Sequence, residues 1–172
     1  NEGMGQFQSR EITKWTMKYD PTRLVNGISG WQDRGVGHFI DLHQYPGPGM
    51  EPPSQNKGRA VVLGEFGGYG LPVKNHMWNQ SKKNWGYRVS ETLESYIKDY
   101  NEVIYNLHGE RARGLAAAIY TQTSDVEIEV NGILTYDRKV IKLPIDKTKK
   151  VHNKLFDNYQ KAEFIFNDSE IM

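Results

Sequence analysis

The sequence predicts an α/β fold in which a parallel sheet carries helices on its outer side. Three observations lead to this prediction. Short apolar runs alternate with amphipathic or proline-rich segments. The clearest run, Ala60-Val-Val-Leu63, is continuous, as in a buried parallel strand. Polar and aromatic residues gather after the runs, at the strand ends where α/β folds build their sites. Four such units are half of an eight-unit (β/α)8 barrel.

The composition fits one globular domain and narrows the classes of function. The chain has 172 residues, of which 37% are hydrophobic and 25% charged, enough to form a core. Its net charge is +1 without a basic block, so nucleic acid is not an expected partner. The absence of Cys excludes disulfides, thiolate metal sites and Cys nucleophiles. No apolar run reaches membrane-spanning length.

The first half of the chain contains candidates for one helix and two strands. Ser9 is a candidate N-cap for the helix, and Asp20-Pro21 would end it. Prolines without N–H donors make the stretch after the second strand a loop. The expected elements are a helix over 9–19, strands over 23–26 and 39–43, and a loop over 45–53.

The second half repeats the alternation of strand and helix. Apolar residues at 3.6-residue spacing from Val89 to Leu107 predict an amphipathic helix. The stretch before it is long for a loop in a compact domain, and such loops are usually functional or disordered. Its Trp and Tyr residues argue against disorder. The expected elements are strands over 60–63 and 114–120, helices over 89–107 and 145–159, and loops over 64–87 and 121–138.

Two glutamates are candidates for catalysis. Glu65 stands between glycines directly after a buried strand, and Glu2 follows Asn1 at the start of the chain. If Asn1-Glu2 closes a strand that precedes this chain, both glutamates lie on the same rim. Two carboxyl groups about 5–5.5 Å apart suit double-displacement glycoside hydrolysis, in which one attacks the sugar and the other protonates the leaving oxygen. Taken singly, Glu2 could instead be a frayed terminal residue and Glu65 a solvated loop charge.

Other side chains near strand ends are candidates for substrate binding. Tyr45 could donate a hydrogen bond to a nucleophilic carboxylate and His43 could bind a sugar hydroxyl, although both could equally serve packing. Trp78 and Tyr120 offer aromatic faces that stack on sugar rings, or that pin loops to the core. Asp125 lies in an acidic run that could bind hydroxyls or be solvated. No metal-ligand spacing, phosphate-binding loop or nucleophile elbow is present, so no cofactor is expected.

Several motifs in this order resemble glycoside hydrolase family 2, the β-galactosidase, β-glucuronidase and β-mannosidase group. The resemblance runs from Asn1 to about Tyr159. The motifs that carry it are Asn1-Glu-Gly-Met-Gly-Gln6, Asp41-Leu-His-Gln-Tyr-Pro46, Gly64-Glu-Phe-Gly-Gly68, Tyr120-Thr-Gln-Thr-Ser-Asp-Val-Glu127 and Asn131-Gly-Ile-Leu-Thr-Tyr-Asp-Arg138.

The resemblance implies a role for each matching residue. In that family an Asn-Glu pair after the fourth barrel strand supplies the general acid/base, and a Glu after the seventh strand is the nucleophile. Glu2 takes the first role by resemblance and Glu65 the second, while Asn1 contacts the sugar 2-hydroxyl. His43 and Tyr45 match the segment after the sixth strand. Tyr120 stands where better-known members carry a Trp that lines the sugar site. The resemblance therefore does not identify the sugar.

The expected function is that of a retaining exo-β-glycosidase acting on β-galactosides or related β-glycosides. The alternatives are a non-catalytic carbohydrate-binding or inactive half-barrel, and a different retaining barrel hydrolase with the same two carboxylates. By resemblance, residues 1–160 form strands five to eight of the barrel, and residues 161–172 form a tail or the start of another segment. The missing half of the barrel, or self-association, would have to cover the open sheet. The substrate class favours a periplasmic or secreted location.

Overall fold

The computed structural model describes residues 2–51 and 58–156 as an α/β fold. Asn1, the two prolines at 52–53, the expected end of the last helix at Tyr159 and the tail over 161–172 lie outside this range. In chain order the elements are a 3-10 helix at Gly3–Gly5, α1 at Ser9–Tyr19, β1 at Phe39–Gln44, β2 at Ala60–Gly67, β3 at Tyr69–Gly70, β4 at Arg88–Val89, α2 at Leu93–Ala112, β5 at Ala117–Thr121 and α3 at Ile145–Lys154.

The predicted parallel sheet is confirmed, with three strands in the order β1-β2-β5. Strand β2 is central, and β1 and β5 are the edges among the described residues. A second, two-stranded parallel pair joins β3 to β4. Of the helices that the structure describes, none has the length and apolar character needed to cross a bilayer.

The core lies between β2 and α2. Leu63 and Phe66 of β2 are almost fully buried and share one cluster with an apolar stripe of α2. The α2 residues of this stripe recur at the helical spacing read from the sequence, and they are Tyr96, Tyr100, Val103, Ile104 and Leu107. Helix α3 packs on the same cluster through Val151 and Leu155. Helices α2 and α3 therefore cover one face of the sheet.

Helix α2 begins and ends later than expected. The chain from Arg88 to Val89 forms β4, and Thr92 then caps the helix by accepting a hydrogen bond of 3.1 Å from the Ser95 backbone N–H. Val89 therefore lies outside the helix and is 44% exposed. Strand β5 also begins later than expected, because the preceding Leu115 N–H still bonds to the Glu110 carbonyl of α2.

The strand expected over 23–26 is wrong. The Val25 N–H donates to His38 Nδ1 at 2.8 Å, and the Val25 carbonyl accepts from the His38 N–H at 2.9 Å. These bonds fold the segment onto the stretch before β1, so it does not enter the sheet as a strand. Helix α1 is confirmed over 9–19, although Ser9 is its first residue and Gln8 occupies the N-cap.

Strand β2 runs past the expected end at Leu63 and contains a bulge at Gly64. Leu42 pairs with Leu63, but His43 pairs with Glu65, so Gly64 is an extra residue on the β2 side. The register with β5 shifts at the same place. An extra residue reverses the alternation of side chains between the two faces. Leu63 and Phe66 can therefore both face α2, and Glu65 joins His43 on the opposite face.

Gly64→Ala should destabilise the fold by about 1–3 kcal/mol, the usual cost of overpacking. A Cβ at this position would lie 2.0 Å from Asp41 Oδ1. Gly109→Ala is the control, because nothing lies within 4 Å of its added Cβ and it sits in α2; it should stabilise by about 0.5–1 kcal/mol. Urea unfolding measures the stability of both variants. Equal stability of the two would contradict close packing of Asp41 against position 64.

Candidate functional site

Glu65 lies on the sheet face opposite the helices, beside a buried histidine. Its Oε2 atom is 3.2 Å from His43 Nδ1, and its side chain is 34% exposed. His43 lies on β1 opposite Glu65, directly after the register shift, and its side chain is fully buried. The flanking chain passes so close that a Cβ on Gly30 would lie 2.4 Å from the His43 ring. The backbone therefore encloses the imidazole and leaves Glu65 reachable from solvent.

Glu2 completes a group of two carboxylates around His43. Its Oε1 atom lies 3.6 Å from His43 Nδ1, and its backbone forms a bridge to Ser29. Donor atoms of Glu2, His43 and Glu65 all lie within 4.8 Å of one another. The two glutamates are 63 positions apart in the sequence. The fold nevertheless brings their carboxylate oxygens to within 4.8 Å of each other. The Glu2 side chain is 58% exposed, so it also faces solvent.

A layer of polar side chains contacts His43 on the side away from the two glutamates. Its Nε2 atom hydrogen bonds to Ser29 Oγ at 3.1 Å and lies 3.7 Å from Asp41 Oδ1. Asn26 Nδ2 donates to the other oxygen of Asp41. Burial raises the pKa of the Asp41 carboxyl above its ordinary value, against the lowering effect of the Asn26 bond. This layer fixes the plane of the imidazole ring.

Tyr45 is in direct contact with Glu65. Its hydroxyl donates to Glu65 Oε2 at 2.5 Å and also hydrogen bonds to Thr121 Oγ1 at 2.9 Å. Burial, followed by the bond to Glu65, raises the pKa of the Tyr45 hydroxyl far above its ordinary value. The phenol therefore stays protonated and stabilises the negative charge of the carboxylate. Tyr45 therefore makes the bond to a carboxylate that the sequence analysis considered for it. His43, considered there as a ligand of a sugar hydroxyl, instead has a fully buried side chain behind Glu65.

Exposed aromatic rings border the two carboxylates. Trp31 donates its indole N–H to Glu2 Oε1 at 3.2 Å and meets the His43 ring edge to face. On the other side, Tyr87 stacks on Tyr45 with ring centroids 3.5 Å apart. Trp31 is 61% exposed and Tyr87 47% exposed. Such rings can stack on the apolar C–H faces of a sugar.

Two expected binding residues lie away from this centre, in buried surroundings. Tyr120 meets Phe66 and Tyr100 edge to face in the core on the α2 side of the sheet. Asp125 is buried and pairs with Lys142 Nζ at 2.7 Å. Burial raises the pKa of the Asp125 carboxyl and lowers that of the Lys142 amine, and each opposes the shift of the other through their ion pair. Their surroundings are those of structural side chains.

Trp78 also belongs to a different group of side chains. Its ring meets Tyr136 edge to face, and the neighbouring His76 Nδ1 lies 2.9 Å from Asp137 Oδ2. Trp78 is 62% exposed, so its face remains accessible. Asn1, expected to contact the sugar, lies outside the described residues.

The structure adds contributors that the sequence analysis did not single out. They are Ser29, Asp41, Tyr87 and Thr121, all within one contact of His43, Glu65 or Tyr45. One signal was available for Asp41: it alternates with His43 on a strand whose other positions, Ile40 and Leu42, are apolar. Ser29 and Tyr87 come from irregular segments and carry no comparable pattern.

Comparison with known proteins adds no further constraint. No protein-family model matches the chain, and no curated protein matches its sequence.

Lys142→Met should destabilise the fold by about 3–5 kcal/mol, because it leaves the buried Asp125 carboxylate without its cation. Replacing both residues, as Asp125→Leu with Lys142→Met, should cost less than the single change, since no charge is left buried. Lys149→Met on the exposed side of α3 is the control and should change stability by less than about 0.5 kcal/mol. Urea unfolding measures the free energy of unfolding of each variant. A Lys142→Met variant as stable as the control would refute a structural role for the ion pair.

Proposed function

We propose that the chain carries the catalytic centre of a retaining β-glycosidase. The observation that carries the proposal is the approach of the Glu2 and Glu65 carboxylate oxygens to within 4.8 Å. This spacing agrees with double displacement, for which carboxyl groups stand about 5–5.5 Å apart. It is too short for inversion, which needs about 6.5–9.5 Å to admit a water molecule. Both side chains are partly exposed and can meet a substrate.

Glu65 is the proposed nucleophile. The Tyr45 hydroxyl donates to it at 2.5 Å, so one oxygen is fixed and the carboxylate can approach the anomeric carbon. Attack forms a glycosyl ester on Glu65 and releases the aglycone oxygen. As the carboxylate charge is lost in the ester, Tyr45 keeps its proton because its pKa is raised. The phenol can then stabilise the same oxygen again when water cleaves the ester.

Glu2 is the proposed acid/base. It is the more exposed of the two glutamates, as expected for a group that must reach the leaving oxygen and then an incoming water. In the first step it gives its proton to the leaving oxygen, and in the second it takes a proton from water. Trp31 donates to Glu2 Oε1 and orients the carboxylate while exposing its ring to a sugar.

We also propose that the three-stranded sheet is part of a (β/α)8 barrel. The face of β5 opposite the helices is open: Ile119 is 60% exposed. An apolar side chain at this position, beside an unpaired strand edge, is normally covered. On α1, Trp15 and Tyr19 are 62% and 77% exposed and stack on each other. The remaining barrel strands, from the same protein or a second copy, would cover these surfaces. The glycosidase experiments are accordingly performed on protein that contains the complete barrel.

Glu65→Gln and Glu2→Gln should each reduce turnover, but they should differ in their dependence on the leaving group. Glu65→Gln removes the nucleophile, so hydrolysis of every aryl β-glycoside should fall by at least about 10³-fold. Glu2→Gln should cost roughly 10²–10⁴-fold with a poor leaving group. With a dinitrophenyl leaving group, which needs no proton, the first step should be restored, and azide should accelerate release of the sugar.

The control is Glu91→Gln, an exposed glutamate before α2 that should leave turnover unchanged. A panel of aryl β-glycosides with different sugars identifies the substrate and provides the rates. Wild-type turnover in Glu65→Gln would refute the nucleophile. A carbohydrate-binding module without catalysis would bind a sugar but release no aglycone in the wild-type protein.

A further inference from the structure

The Nδ1 atom of His43 is buried, faces two carboxylates and has no hydrogen-bond partner among the residues that the structure describes. It lies 3.2 Å from Glu65 Oε2 and 3.6 Å from Glu2 Oε1, yet its geometry to neither is that of a hydrogen bond. The imidazole side chain is fully buried. Buried polar atoms are nearly always paired, so an unpaired nitrogen between two negative groups needs an explanation. A bound cation would satisfy all three groups together.

The other ring nitrogen is arranged as in a metal-binding histidine. His43 Nε2 lies 3.1 Å from Ser29 Oγ and 3.7 Å from Asp41 Oδ1. Within the described part of the chain this Asp41 oxygen is itself buried without a hydrogen-bond partner. A histidine that binds a metal usually donates its second ring N–H to a carboxylate or another oxygen. With the proton on Nε2, the lone pair of Nδ1 points towards Glu2 and Glu65.

The distances suit a small cation with few ligands. Metal–ligand bonds of about 2.0–2.2 Å in a tetrahedron place neighbouring donor atoms roughly 3.4 Å apart. The two distances from His43 Nδ1, 3.2 and 3.6 Å, lie on either side of this value. The Glu2 and Glu65 oxygens lie within 4.8 Å of each other. The Glu2 side chain is 58% exposed and is held by the 3.2 Å bond from Trp31, so it can turn to shorten this separation when an ion binds. The Glu2 and Glu65 side chains are 58% and 34% exposed, so water can reach an ion bound between them.

We propose that His43, Glu2 and Glu65 bind Zn²⁺, and that the bound ion inhibits the glycosidase by occupying both catalytic carboxylates. One imidazole with two carboxylates is a donor set suited to Zn²⁺, whereas Mg²⁺ prefers oxygen ligands alone and retains its waters. The inhibition rests on the proposed function, but the metal site does not. A Glu65 carboxylate bound to the ion cannot attack a sugar, and a bound Glu2 cannot protonate a leaving oxygen. Zn²⁺ and glycoside therefore exclude each other.

Titration calorimetry with ZnCl₂ on metal-free protein, in the preparation used for the activity assays, tests the site. One Zn²⁺ per chain should bind. His43→Gln keeps an amide near the position of Nε2 and removes Nδ1, and it should weaken binding by at least about 10-fold, the lower limit seen for loss of mere outer-shell partners. Glu2→Gln, a change at an exposed side chain, should do the same. MgCl₂ should not compete.

His76→Gln is the matched control, because His76 also lies beside a carboxylate, Asp137, but has no second one within reach in the described cluster. Its Zn²⁺ affinity should equal that of the wild type. Circular dichroism establishes that each variant is folded; should His43→Gln fail to fold, Glu2→Gln decides alone. Unchanged affinity in the folded variants, or no binding by the wild type, overturns the site.

Steady-state kinetics separate the site from the proposed function. Zn²⁺ should raise KM for an aryl glycoside in proportion to its concentration and leave kcat unchanged. Chelation of the ion should restore the original KM. Binding with this variant pattern in a protein that hydrolyses no glycoside would retain the metal site and refute the glycosidase. Inhibition that lowers kcat with KM unchanged would refute competition between the ion and the sugar.

Discussion

The bulge at Gly64 is the constraint on which the rest of the site depends. Without an extra residue, period-two alternation would place Glu65 on the same face as Leu63, against the apolar stripe of α2. With it, Leu63 and Phe66 both enter the core, and Glu65 turns to the opposite face beside His43. A side chain at position 64 would collide with Asp41, so only glycine allows the neighbouring strand to bring its own polar residues this close.

The second constraint is the burial of His43. It contacts Glu2, Asp41 and Glu65 within 3.7 Å, although its own side chain has no exposed surface. Such a cluster is costly to assemble, because carboxylates repel one another in a medium of low dielectric constant. Several neutral donors reduce that cost: Asn26 for Asp41, Trp31 for Glu2 and Tyr45 for Glu65. The negative field that would stabilise the oxocarbenium-like transition state of the proposed hydrolysis would also attract a metal cation, which links the two proposals.

Features with a local signal could be predicted from the sequence. The continuous apolar run at 60–63 predicts strand β2, and the apolar stripe predicts helix α2. The order of the elements predicts a parallel sheet. The approach of Glu65 to His43 and Tyr45 also followed from strand-end placement. The pairing of strands brings these residues together, and a parallel sheet aligns its strand ends.

Features set by long-range contacts could not be predicted in this way. The segment at 23–26 has the apolar character of a strand, but hydrogen bonds to His38 hold it outside the sheet. The bulge at Gly64 depends on the partner strand and is not visible in β2 alone. Tyr120 and Asp125 are residue types that often bind sugars. Their surroundings, which the sequence does not reveal, place Tyr120 in the core and pair Asp125 with Lys142.

Covalent trapping is the most direct test of the claim that Glu65 and Glu2 form a double-displacement pair. A 2-deoxy-2-fluoro β-glycoside with a good leaving group slows breakdown of the glycosyl ester and lets it accumulate. After incubation and peptide mass spectrometry, we expect one sugar per chain on the peptide that contains Glu65, and no label in Glu65→Gln. Label on a different residue, or none in a protein that hydrolyses the parent glycoside, would contradict the account.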